Sequence, residues 1–145
     1  MIQTALIPLA LAAASVSAED DVHCAVSFAT HFVGRFAELP EEIRNDVLKD
    51  GKIAEPDGAF NETDDIDDRN LPFRRLVRAG RSGGQWFVWI KHGGFSPHYD
   101  VLGFRPFWEK ADRYRWYRAG EFQGEPCIAI NAFLAGVQTP TDGRH

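Results

Sequence analysis

Apolar residues at the start of the chain recur with the period of a helix. Between residues 20 and 37 they stand at Val22, Val26, Ala29, Val33 and Phe36. Steps of three and four residues place them on one face of a helix. The acidic residues at positions 19–21 suit the N-terminus of that helix, where negative charge is favourable. The pattern therefore predicts a first amphipathic helix over residues 20–37.

A second helix is predicted over residues 40–51, whose sequence is PEEIRNDVLKDG. Pro40 suits the first helical position, acidic residues occupy the first turn, and Gly51 follows the last turn. Ile43 and Val47 are four residues apart and therefore face the same side, toward the core. From 52 to 72 the chain is polar, acidic and without periodicity, which predicts a long loop. Such a long loop is uncommon in a compact domain, so it is either functional or partly mobile.

After residue 72 the apolar pattern changes to strict alternation. Five segments have the length and composition of strands, namely 73–80, 85–92, 98–107, 113–120 and 127–136. Short, turn-like connections between successive strands favour an antiparallel meander. Segment 85–92 has aromatic residues on both sides, which is expected when both faces of a sheet are covered. We therefore predict an α+β fold, with two N-terminal helices packed on a twisted antiparallel meander of four to five strands.

The first 18 residues contain no charged side chain and include an apolar run from 5 to 14. Val16 and Ala18 then provide the small residues of a cleavage site, so a signal peptide cleaved after Ala18 is predicted. An uncleaved anchor is the competing interpretation, but the run is shorter than the ~20 residues of a spanning helix. No later segment is long and apolar enough to span a membrane. We expect an exported protein, periplasmic or secreted.

The predicted mature chain, residues 19–145, has the length of a single domain. It would consist of a helical part (19–51), an acidic loop (52–72), an antiparallel sheet (73–137) and a tail (138–145). Its two cysteines, Cys24 and Cys127, are expected to form a disulfide in an oxidising compartment. Two separately buried thiols are the alternative.

Charge is distributed unevenly along the chain. Residues 19–68 contain fifteen acidic and four basic side chains, whereas residues 69–121 contain eleven basic and four acidic ones. This asymmetry indicates either two faces of one domain or a basic sheet face that binds an anionic partner. Nucleic acid is not an expected partner, because the chain carries a net charge of -5.

Arginine alternates with aromatic residues in two of the predicted strands. The candidate binding surface comprises Arg113, Arg115 and Tyr117, together with Arg74 and Arg78 on one side of the first strand. This composition is typical of a binding face for an envelope protein or an anionic ligand. The alternative is cross-strand packing, in which arginine stems cover aromatic rings.

The stretch KHGGFSPHYD, residues 91–100, contains residue types that zinc accepts. His98 and Asp100 are two apart and point the same way on a strand. His92 would meet them across a hairpin if the register permits. The spacing is not specific, and a turn alone explains the glycines and the proline. We therefore expect no cofactor. If the protein does bind one, zinc is the candidate, with His92, His98 and Asp100 as its ligands.

Three other patterns carry less. Ser82 lies in a G-x-S-x-G match, but between two strands rather than at the strand-to-helix turn of a hydrolase. The acidic run at 64–68 lacks the glycine and glutamate of an EF-hand, which leaves only irregular calcium binding open. Asn61 begins an N-E-T acceptor site for glycosylation, relevant only in a host that glycosylates secreted proteins.

The leading expectation is an exported, non-catalytic domain that binds a partner through its basic, aromatic sheet face. One alternative is a small metal-dependent or acid–base enzyme centred on His92, His98 and Asp100. Another is a structural or stress-related envelope protein without a discrete ligand.

Overall fold

The computed structural model describes residues 24–66 and 68–137. In chain order, the elements are β1 (His31–Val33), a 3₁₀ turn (Phe36–Glu38), α1 (Glu41–Leu48), β2 (Arg74–Ser82), β3 (Gln85–His92), β4 (His98–Lys110), β5 (Arg113–Gln123) and α2 (Pro126–Leu134). The predicted signal peptide and the tail at 138–145 lie outside the described residues. No helix in the described ranges has the length and apolar character needed to cross a membrane.

The five strands form one antiparallel sheet in the order β1-β2-β3-β4-β5. Each strand pairs with its neighbour in the chain, which is the arrangement of a meander. The α+β class and the antiparallel sheet are thus confirmed. One irregularity matters below: the pairing of β2 with β3 shifts register between Leu76 and Arg78.

The predicted first helix is wrong over the part that the structure describes. Residues 24–30 form neither helix nor strand, and residues 31–33 form the short edge strand β1. Val33 is buried, while Phe32 packs edge-on against Phe87 with the ring centroids 6.2 Å apart. Three of the apolar residues that suggested a helical face, Val26, Val33 and Phe36, therefore pack into the two cores of the sheet instead, whereas Ala29 is exposed. Residues 20–23 of that prediction lie outside the described residues.

The predicted fifth strand, 127–136, is also wrong, because this segment forms helix α2. The side chain of Glu125 accepts hydrogen bonds from the amides of Cys127 and Ile128, and Pro126 occupies the first turn. A short, almost wholly apolar run, interrupted here by Asn131 alone, shows no clear period, so the pattern alone did not separate helix from strand. The helices consequently lie at the two ends of the fold rather than both at its start.

The sheet is covered on both faces, one by each helix. Helix α1 buries Ile43 and Val47 in one core, whose sheet residues include Leu76, Val88, Ile90 and Leu102. Helix α2 buries Ala129, Ile130 and Phe133 in the other core, against Phe87, Trp89 and Val101. Successive residues of β3 therefore enter opposite cores, which explains its aromatic residues on both sides.

The disulfide between Cys24 and Cys127 is present, as the cysteine count predicted. It joins the segment before β1 to the first turn of α2. Two hydrogen bonds act beside it: Asn131 Nδ2 donates to the carbonyl of Ala25 at 3.1 Å, and the Ser27 amide donates to Asn131 Oδ1 at 2.8 Å. The start of the described chain is thus fastened to its last helix.

Replacing Gly103 tests how tightly α2 is seated on the sheet. A Cβ at this position would lie 2.4 Å from Cε2 of the buried Phe133 ring. We expect Gly103→Ala to lower the free energy of unfolding by about 1–3 kcal/mol, as overpacking does. Urea unfolding measures the change. Gly84→Ala is the control, because its Cβ would make only an ordinary contact at 3.7 Å with Pro106. Equal stability of the two variants would contradict the packing described.

Removing the disulfide should destabilise the fold strongly. The two cysteines are 103 residues apart in a chain of 145, so the bond restricts the greater part of the unfolded chain. We expect the Cys24→Ser, Cys127→Ser double variant to lose about 2–5 kcal/mol in urea unfolding. Wild-type protein treated with reductant should behave like the variant. A loss of less than about 1 kcal/mol would show that hydrogen bonds at Asn131 suffice to hold α2.

Candidate metal centre

The hairpin between β3 and β4 places two histidines side by side. His92 ends β3, His98 begins β4, and the register pairs them directly. Their rings stack with centroids 4.4 Å apart and planes inclined by 8°. Asp100 lies two residues further along β4, so its side chain points to the same face of the sheet. All three side chains that the sequence singled out are thus brought together.

Glycines at the turn allow the acidic loop to lie against this hairpin. The amide of Gly93 donates to the carbonyl of Phe73 at 2.7 Å. A Cβ on Gly93 would lie 1.9 Å from the carbonyl oxygen of Asn61, so no other residue fits there without moving the loop. Gly94 has a φ of 84°, which favours glycine. The glycines that form the turn are thus also the residues that let the acidic loop lie against the site.

Asp100 is a buried carboxylate held by a histidine. Its side chain is 6% exposed, and its Oδ2 lies 2.7 Å from His92 Nε2. Burial acts to raise the pKa of Asp100. The hydrogen bond from His92 acts in the opposite direction, as do the charges of His92 and His98 when these rings are protonated, and together they outweigh burial, so the pKa lies below its ordinary value. The carboxylate is therefore ionised in the folded protein at neutral pH.

His98 presents a nitrogen lone pair to the other oxygen of that carboxylate. Its Nδ1 lies 2.6 Å from the carbonyl oxygen of Ser96. A carbonyl only accepts hydrogen bonds, so we assign the proton to Nδ1, and Nε2 of the neutral ring is then an acceptor. Nε2 is 3.6 Å from Asp100 Oδ1, too far for a hydrogen bond. Asp100 Oδ1 is buried and has no donor among the described residues.

Two acceptor atoms thus face each other, and one of them, Asp100 Oδ1, is buried. Such an arrangement is unfavourable unless a proton or a metal cation lies between them. One ligand atom from each of His92, His98 and Asp100 lies within 4.8 Å of the others. Imidazole nitrogen and carboxylate oxygen are both ligands that zinc takes in proteins.

The two histidines separate two cavities. One cavity, of about 270 Å³, is lined by polar residues from five elements or their ends, including Asp50, Arg74, Glu121 and Gln123. The other, of about 540 Å³, is lined by Glu62 and Thr63 of the acidic loop and by Pro97 and Tyr99. Small molecules therefore have room to reach the histidines from either side.

Arg74 lies in the polar cavity and not on an exposed surface. It is 5% exposed, and its Nη2 donates to the carbonyls of Val47, at 2.7 Å, and of Gly51. Val47 lies in the last turn of α1 and Gly51 just beyond it, in the region where helix carbonyls lack intrahelical partners. Burial lowers the pKa of Arg74 from its ordinary value. This arginine holds α1 on the sheet.

Arg78 lies on the opposite face of β2, because the register shift at Val77 separates it from Arg74. Its guanidinium lies 4.9 Å from the ring centroid of Phe32, which packs with Phe87 of the α2 core. The expectation that Arg74 and Arg78 line one side of the strand is therefore wrong. An alternating pattern cannot reveal an extra residue inserted in a strand.

Arg113, Arg115 and Tyr117 are exposed on β5, far along the sheet from Arg74. Arg115 Nε pairs with Glu109 Oε1 at 3.1 Å. The alternate residue Trp116 packs against the α1 core. These three residues thus form a surface of their own, separate from the histidine site.

Sequence reasoning missed the residues that complete the polar cavity. Glu121 and Gln123 lie in β5 opposite Leu102 and Asp100, beyond the end of the strand predicted at residue 120. Arg118 connects β5 to α1 through Asp46 and Asp50, each at 2.7 Å. The alternation in RAGEFQ, interrupted by glycine, was the only available signal.

Two weaker sequence candidates receive a structural explanation. Asn61 is 3% exposed, and its Nδ2 donates to the carbonyls of Asp68 and Leu71. This amide is part of the fold, which leaves no room for a glycan. Ser82 ends β2 directly before the two-residue turn Gly83–Gly84, with φ of 57° at Gly83. It has no strand-to-helix turn around it.

No protein family, curated protein or solved structure matches this chain.

Arg74 and Arg113 should respond differently to truncation. We expect Arg74→Ala to lower the free energy of unfolding by about 2–3 kcal/mol, since hydrogen bonds from a charged donor are strong and the carbonyls of Val47 and Gly51 both lose this donor. Arg113→Ala removes an exposed side chain and should change stability by less than about 0.5 kcal/mol. Urea unfolding of both variants tests this difference. Equal losses would assign Arg113 a packing role.

Proposed function

We propose that this protein binds a divalent transition-metal ion, with zinc as the best match, through His92, His98 and Asp100. The observation that carries the proposal is the pair of facing acceptors, His98 Nε2 and Asp100 Oδ1, 3.6 Å apart without a protein donor between them. A metal ion there would satisfy both atoms at once. In its absence, a second proton on His98 is the other way to satisfy them.

The distances suit zinc after small side-chain adjustments. Ligands of a tetrahedral zinc at ~2.1 Å lie about 3.4 Å from one another. The separation of 3.6 Å is close to this value, and the whole set lies within 4.8 Å. Side-chain rotations that move the histidine nitrogens by about an ångström would complete the tetrahedral geometry. The contact of His92 with Asp100 would then change from a hydrogen bond to shared coordination.

The surroundings of His98 support a ligand role. Histidine ligands commonly donate their second ring N–H to a backbone carbonyl, which fixes the tautomer and orients the ring. The carbonyl of Ser96 has this position at 2.6 Å from Nδ1. The stacked ring of His92 restricts His98 further. The lone pair of Nε2 is thus directed at Asp100 before any metal arrives.

Three protein ligands leave at least one coordination position for water or another small ligand. In zinc proteins this number is typical of catalytic sites, whereas structural sites have four protein ligands. The polar cavity of about 270 Å³ adjoins both histidines and is the space for that ligand. Metal-assisted hydrolysis of a small substrate is therefore the second candidate function, and simple metal binding is the first.

Export of the protein agrees with this proposal. The Cys24–Cys127 disulfide is typical of an oxidising compartment. Together with the N-terminal sequence pattern, it favours a periplasmic or secreted protein. A metal site in that compartment competes for ions outside the cytoplasm.

A zinc titration tests the site directly. We expect zinc to raise the thermal unfolding midpoint of the oxidised chain, prepared without a histidine tag, because a ligand of the folded state stabilises it. At a hundredfold excess of free zinc over Kd the gain is about 2.7 kcal/mol. His98→Ala and Asp100→Asn should each abolish the rise. Isothermal calorimetry should give one zinc per chain for the wild type.

His31→Ala is the matched control. His31 is exposed on β1 and lies outside the cluster, so its loss should leave zinc binding unchanged. The histidines outside the described residues are kept in every variant and contribute equally to all of them. Zinc stabilisation that persists in His98→Ala, or disappears in His31→Ala, would place the ion elsewhere and refute the proposal.

A further inference from the structure

The two ends of the sheet carry opposite chemistry. Strand β4 has thirteen residues, and at ~3.3 Å per residue it separates its two turns by about 40 Å. At one end lies the loop end, which we define as residues 62–66 together with Asp68, Phe73 and Phe95. At the other end lies the arm, defined as residues 107–117, where β4 and β5 continue to their shared turn.

The loop end combines negative charge with exposed apolar side chains. Residues 62–66 and 68 contain four acidic residues and no basic one, and of these Glu62 is paired with Lys91 at 2.6 Å. Asp64 and Asp65 are exposed and form no ion pair with any described residue. Beside them, Phe95 is 94% exposed at the tip of the β3–β4 turn, and Ile66 and Phe73 are 48% and 42% exposed. Covering a phenylalanine so exposed would remove apolar surface from water, which lowers the free energy.

The arm combines aromatic side chains with basic ones. Phe107 and Trp108 are 58% and 59% exposed, and Tyr114 packs against Trp108 with ring centroids 5.0 Å apart. Aromatic residues and arginine are enriched in protein interfaces. Arg113 is exposed and has no ion pair within the part of the chain that the structure describes. The basic side chains outnumber the acidic ones: Lys110, Arg113 and Arg115 against Glu109 and Asp112.

We infer that the arm of one molecule docks on the loop end of a second copy. Each surface is apolar with a charged surround, and the charges are of opposite sign. Every copy of the chain carries both surfaces, so the two complementary surfaces are always present at equal concentration. The metal site takes no part in this inference.

The proposed contact joins two different surfaces, so it is heterologous. Head-to-tail contacts of this kind leave one free arm and one free loop end on every assembly that does not close into a ring. Association should then be open-ended, reversible and dependent on concentration. Because part of the attraction is between exposed charges, added salt should weaken it.

Sedimentation velocity at low and high ionic strength tests the inference, with a chelator present to exclude bridging by metal ions. We expect the average mass of the wild-type protein to rise with concentration at low salt and to fall toward that of a single chain at high salt. The arm variant Arg113→Glu, Arg115→Glu should remain monomeric, and so should the loop variant Asp64→Lys, Asp65→Lys. Mixing the two variants in equal amounts should restore association, because each reversed surface then meets its complement.

A control variant separates a specific contact from general charge effects. Lys49→Glu with Arg78→Glu changes the net charge as much as the arm variant does, but lies outside both surfaces. It should associate like the wild type. A wild-type chain that stays monomeric at low salt would overturn the inference. So would arm and loop variants that associate as the wild type does, or a mixture of them that stays monomeric.

Discussion

The central strand β3 has no side that faces water, and the remaining elements are placed to cover it. Val88 and Ile90 enter one core while Phe87 and Trp89 enter the other. A strand with two buried faces requires a layer on each side of the sheet. Helix α1 provides one layer and helix α2 the other. The Cys24–Cys127 disulfide then fastens α2 to the segment before β1, and Arg74 of β2 fastens α1 to the sheet.

The same constraint determines where polar chemistry is tolerated. Toward the end of β3 the buried pattern stops at Ile90, and the next residue on that face is His92. Asp100 on β4 is still buried, so its charge needs a partner from the adjacent strand. The histidines, Arg74 and Arg118 gather around this end of the α1 face. The candidate site is thus the edge of a hydrophobic core, where the core changes into a polar cavity.

Periodicity predicted the strands well because their alternation results directly from two-sided packing. The bounds of β3 agree with the predicted 85–92, and β4 begins at the predicted His98. The helices were harder. Spacing alone predicted a helix over residues 20–37. Val33 and Phe36 have helical spacing, but they pack into the core as parts of an edge strand and a 3₁₀ turn. The meeting of His92, His98 and Asp100 followed from hairpin geometry, whereas Glu121 and Asp50 come from distant elements whose placement depends on the whole fold.

The covalent link between Cys24 and Cys127 makes the described domain almost a closed ring. It joins the first described residue to the last helix, with the acidic loop roughly midway around the circle. Exposed polar loops are where proteases cut folded proteins most readily. A single cut between residues 62 and 68 would leave two pieces that are still bonded to each other and still paired through the sheet. Under denaturing conditions without a reductant, such nicked molecules would still migrate as one species. Adding a reductant would then separate the two pieces.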